Sequence, residues 1–83
     1  MNAPVKIDTD HIAHGTPAAF REFIGECFAM ARIEAGLGET YCSIGDDVGL
    51  EYAARKLTAY TRAMLATLAD LKEMKKREAG DAG

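Results

Sequence analysis

Apolar residues recur along most of this chain at helical spacing. Leu50, Leu57, Met64 and Leu71 fall seven residues apart, two turns of an α-helix, whereas a half-buried strand alternates at every second residue. Ala53, Tyr60, Thr67 and Met74 flank this row on one side, and Ala54, Thr61 and Leu68 on the other. The pattern predicts one amphipathic helix from Asp46 to Glu78, about 48 Å long at 1.5 Å per residue. A helix cannot cover its own stripe, so another part of the chain or a second chain must do so.

A second, shorter helix is predicted over Pro17 to about Ala35. Thr16 is placed to cap its free N–H groups, and Pro17 fits the first helical position, where a missing donor costs nothing. Phe20, Phe23, Ile24, Cys27, Phe28, Met30 and Ala31 form its apolar face. Gly36 is the expected left-handed stop, with Leu37 covering the end as in a Schellman turn. Gly38 to Gly45 then reads as the connection. Ser43 paired with Asp46, or Asp46 or Asp47 alone, is expected to cap the long helix.

Two helices of such unequal length leave an overhang of about 20 Å when paired antiparallel. It carries Leu68, Leu71 and Met74. Exposed apolar rows of this kind mark interfaces. The expected fold is therefore all-α, an antiparallel two-helix hairpin with a short first and a long second helix, dimerising into a four-helix bundle. Leu50, Leu57, Tyr60 and Met64 are the expected dimer core. Residues 1–15 read as a flexible N-terminal arm, 16–78 as the hairpin domain, and 79–83 as a frayed C-terminal tail.

Bulk properties narrow this further. At 83 residues a single small domain is marginal alone and gains stability from association. A net charge of −3 argues against broad nucleic-acid binding, which needs a basic footprint. No stretch approaches the length of apolar residues that spans a bilayer. Neither a signal peptide nor a disulfide framework is visible, so the expected setting is soluble and cytoplasmic.

Candidate chemistry is sparse. Asp8, Asp10, His11 and His14 share one short run, but metal sites need a fixed ligand geometry that an arm does not supply. Glu22, Glu26 and Glu34 read as a solvated face, because carboxylate-bridged metal sites in bundles also need a Glu-x-x-His element. Cys42 has Glu39, Asp46 and Asp47 for neighbours, which oppose a thiolate. Ala59, Ala63, Ala66 and Ala69 on the back of the long helix reflect helix propensity. The run Ala31 to Gly38 resembles the first helix and corner of helix-turn-helix regulators. The stretch after it, Glu39 to Asp47, departs from that pattern by lacking apolar spacing and ending acidic, where a recognition helix would face phosphate.

The reading is of a non-catalytic protein–protein interaction module, a regulator, inhibitor or assembly factor. It is expected to be a homodimer with a further protein partner and no cofactor or metal. Leu68, Leu71, Met74 and Lys75 on the overhang, with Val5, Ile7 and Ile12 on the arm, are the expected partner-binding residues. The alternatives are a DNA-associated regulator using the basic patch from Lys72 to Arg77, and a small helical subunit of a larger enzyme or particle.

Overall fold

A computed structural model of the chain describes residues 15–82. They form two helices and no strand: α1, Pro17–Ile44, and α2, Asp47–Ala82. The two pack against each other as an antiparallel hairpin. Val5, Ile7, Ile12 and the Asp8/Asp10/His11/His14 run lie outside the described residues.

Both helix starts follow from local chemistry. Thr16 is extended, and its Oγ1 accepts the Ala19 N–H at 3.0 Å. Asp46 caps α2 in the same way, its Oδ1 accepting the Gly49 N–H at 2.9 Å. Ser43 takes no part in that cap; its hydroxyl donates back to the Glu39 carbonyl.

The end of α1 corrects the expectation. The helix does not stop at Gly36 but continues through Gly36 and Gly38 to Ile44. Gly45 is the left-handed residue, with φ 72°. Its N–H donates to the Cys42 carbonyl at 3.3 Å, and the Asp46 N–H donates to the Tyr41 carbonyl at 3.0 Å. That pair of bonds is a Schellman motif set nine residues later than the sequence suggested. Each interior glycine costs a helix about 1 kcal/mol. Packing offsets this cost. A Cβ at Gly38 would sit 3.8 Å from the Ala53 Cβ, so the added turns lie against α2. The Tyr41 ring lies over Gly49, where a Cβ would come within 2.8 Å of it. The resemblance to a helix-turn-helix corner therefore fails, because Ala31 to Gly38 is continuous helix.

The longer α1 also shortens the overhang to about 12 Å. The helices hold 28 and 36 residues, or about 42 and 54 Å. Leu71, expected to be bare, is only 8% exposed within the single chain.

The interior is thin. Ala19, Cys27, Ala31, Ala53 and Leu71 are buried, together with one acid, Glu34. Small residues at the contact let the helices approach closely. Two helices cannot surround a side chain, and among the described residues none is fully enclosed. The thinnest dimension of the Cα trace is 13 Å, the depth of one layer of helices.

Candidate interaction surface

Two contacts and one electrostatic influence fix which residues share a side of the hairpin. Tyr41 meets Gly49, and Gly38 meets Ala53. The charge of Glu34 acts on Lys56. Residues seven apart share a helix row, so the row Cys27, Glu34, Tyr41 on α1 abuts the row Gly49, Lys56, Ala63 on α2. The next row on α1, beyond Glu34 on that same side, is Phe23, Met30, Leu37 and Ile44. All four are exposed, with Ile33 beside them. Across the groove, Tyr52 and Tyr60 bracket Lys56. The lysine Nζ lies 5.4 Å from the centre of the Tyr52 ring and 5.8 Å from that of Tyr60.

This flank carries a charge asymmetry. The Tyr52 and Tyr60 phenols, with a smaller contribution from Glu34, hold the Lys56 ammonium above the ordinary lysine range, against a small opposing cost of burial. Yet Lys56 makes no ion pair; those among the described residues are Glu51–Arg55 at 2.6 Å and Glu73–Arg77 at 4.0 Å, both along the exposed side of α2. Glu34 is 7% exposed, and its Oε1 has no hydrogen-bond partner. A buried carboxylate oxygen left without a donor costs on the order of 1–3 kcal/mol and is rare enough to need a reason.

The opposite flank is also apolar. Phe28 on α1 and Leu65 and Leu68 on α2 are exposed there. Val48, at the turn end of α2, is 83% exposed.

The residues expected to bind partners are dispersed. Leu68 and Lys75 are exposed, Met74 is half-buried, and Leu71 is buried against the rest of the chain. Leu50, Leu57, Tyr60 and Met64 are half-buried, on or beside the side of α2 that α1 covers. Lys72, Lys75 and Lys76 border one shallow depression with Ala69 and Glu73.

Comparison of the chain with protein-family models, with curated proteins and with solved structures finds no match.

The hydroxyls of Thr40, Ser43, Thr58 and Thr61 each bond the carbonyl four residues back, so these four are turned onto their own helix. Burial, with Glu26 adding, pushes the Cys27 thiol up. Among the described residues, no group of three or more His, Cys, Asp or Glu could hold a metal ion. No described helix is long and apolar enough to cross a membrane.

Sequence reasoning missed the row Phe23, Met30, Leu37, Ile44. The seven-residue spacing was present, but ending α1 near Ala35 cut the row in half and assigned Phe23 and Met30 to a buried face. It also read Glu34 as solvated. Its position two turns beyond Cys27 and one turn beyond Met30, inside the apolar stripe, was the available signal.

Proposed function

We propose that this chain is a non-catalytic protein–protein interaction module that self-associates as a homodimer, completing a four-helix bundle. The observation that supports this is the placement of its large apolar side chains. Those from Met30 at 39% to Val48 at 83% exposed stand on the outside of a hairpin whose interior is mostly alanine. Removing one such side chain from water contributes about 1.5–3 kcal/mol. Several together form patches of the kind that mark association surfaces. With one flank covered by a second copy, the other stays open to a different protein. That fits a regulator, inhibitor or assembly factor, which acts by occupying a partner.

Sedimentation equilibrium of the full chain tests the proposal. The expected mass is twice the 8.9 kDa of one chain at micromolar concentration. A helical protein that stays monomeric up to about 0.5 mM, well above the micromolar range of ordinary specific complexes, would overturn the homodimer.

A second reading is favoured by the exposed Lys72, Lys75 and Lys76 on the last turns of α2. In it this end contacts phosphate, as in a DNA-associated regulator. Duplex binding that weakens steeply with salt, and is lost on reversing these three charges, would select it.

A further inference from the structure

The exposed charges of the hairpin are sorted between its two apolar flanks. On the flank of Phe23 and Met30, Glu26 shares the row of Ile33, Glu22 lies one turn before it, and Asp70 continues the row of Lys56 and Ala63. Glu22, Glu26 and Asp70 are exposed, so acids edge that flank, with Lys56 among them. The flank of Phe28, Leu65 and Leu68 is the reverse. Arg21 lies seven residues before Phe28 and Arg32 four after it, while Lys72 and Lys76 follow Leu68 at steps of four. All four bases are exposed, and none is in an ion pair among the described residues. Glu51 and Glu73, on the outer side of α2, are each held by an arginine. Glu39 and Asp47 stand at the turn end, away from Phe28 and Leu68.

This basic flank is also shaped as a groove. Phe28 rises from α1, and Leu65 and Leu68 from α2. One turn before Phe28 and Leu68, Ile24 and Met64 are half-buried and form the floor between them. Gly38 beside Ala53 sets the antiparallel register. Counting from that pair brings Phe28 level with Ala63 and Arg21 level with Asp70, so the bases of both helices gather toward the open end.

We infer that this groove binds an acidic amphipathic helix of another protein, with its apolar side chains between Phe28, Leu65 and Leu68 and its carboxylates toward Arg21, Arg32, Lys72 and Lys76. The inference rests on the reading of the chain as an interaction module and names the chemistry of the partner.

A third helix supplies what two lack, because it encloses side chains that a single layer leaves open. A flat bilayer surface would meet the walls and leave the floor uncovered. A nucleic-acid duplex would meet the bases and leave Phe28 and the leucines without an apolar partner. The apolar centre holds the helix, in the manner of a helix laid in a groove. The bases set its orientation and speed its arrival.

The test is fluorescence anisotropy with the full chain and a labelled peptide of about 20 residues, long enough to form helix. It carries leucine at steps of three and four, and glutamate and alanine elsewhere. A second peptide has lysine for every glutamate. The acidic peptide is expected to bind with Kd below about 100 μM at low salt, and the basic one at least tenfold more weakly. Leu65→Ser with Leu68→Ser, and Lys72→Glu with Lys76→Glu, are each expected to weaken the acidic peptide at least tenfold. Leu37→Ser, on the other flank, should leave it within about twofold, well inside the tenfold step of a single 1.4 kcal/mol contact. Equal binding of both peptides overturns the inference, as does no binding of the acidic one up to about 1 mM. Loss of binding by Leu37→Ser alone assigns the wrong flank and overturns it too. Binding of phosphatidylglycerol vesicles or duplex DNA, with the acidic peptide unbound, moves the surface to lipid or phosphate. The two-peptide comparison uses the unaltered chain, so it stands even where a variant unfolds. A chain that sediments as a dimer but binds no acidic helix loses this inference and keeps the homodimer.

Discussion

Cys27 and Cys42 take opposite properties from one helix. Cys27 is buried in the row of α1 that faces α2, and Cys42 is exposed on the last turn. Burial, with Glu26 adding, holds the Cys27 thiol above the ordinary cysteine range. The thiolate is the reactive form, so Cys27 is slow on two counts, low access and low ionisation. A maleimide near neutral pH is expected to label Cys42 quickly and Cys27 at least tenfold more slowly, with the two rates converging in urea. Equal rates in the folded chain would show that the helices do not cover Cys27. The sign for stability follows from the raised value. The neutral thiol is favoured in the fold, so its contribution is fully present below the thiol range of the unfolded chain. It is lost as pH rises through the higher folded value. Cys27→Ala is expected to lack that alkaline component. By contrast, Cys42→Ser should leave stability and association unchanged, since only the backbone carbonyl of Cys42 is engaged, by Gly45.

At the level of the helix, two glycines distinguish the observed end of α1 from the one its sequence suggests. Gly36 has helical neighbours and nothing within 4 Å of where a Cβ would stand. Gly36→Ala is therefore expected to stabilise the chain by about 0.5–1 kcal/mol. Gly45 holds φ 72°, and Gly45→Ala is expected to cost about 1–2 kcal/mol for a side chain in the left-handed region. Urea midpoints of the two variants decide it, because a helix ending at Gly36 would reverse the sign for Gly36→Ala. Removing a cap acts in the same direction as Gly45→Ala: Asp46→Ala is expected to cost about 1 kcal/mol. These residues also show what was legible in advance. The starts at Thr16 and Asp46 could be read because a cap is chemistry within four residues. So could the Leu50–Leu57–Met64–Leu71 stripe, because α1 does cover much of it. The choice between Gly36 and Gly45 could not be read, because it is made by Gly38 against Ala53 and Tyr41 over Gly49, contacts that exist only once α2 has folded back. The exposed row on α1 and the orphaned Glu34 followed from that same choice and were hidden with it.

The whole molecule is a single layer, and its proposed dimerisation makes folding and association one process. A single hairpin supplies a mostly alanine interior with Leu71 at one end, while a dimer would add large apolar side chains that the hairpin leaves exposed. Anything that binds only the folded form raises its apparent stability by mass action, so the melting temperature must climb with protein concentration. The size of the climb can be bounded. Unfolding takes up about 0.7 kcal/mol per residue near 60 °C, or roughly 116 kcal/mol for a dimer of 83-residue chains. For two chains released per dimer, a hundredfold rise in concentration then shifts the midpoint by roughly 9 °C. Thermal melts followed by far-ultraviolet circular dichroism from about 2 to 200 μM, a range bracketing ordinary association constants, measure this directly. A climb near that size in the unaltered chain is the expected pattern. A midpoint independent of concentration would mean that the hairpin folds alone despite its thin interior. The uncovered flanks would then belong to a different protein.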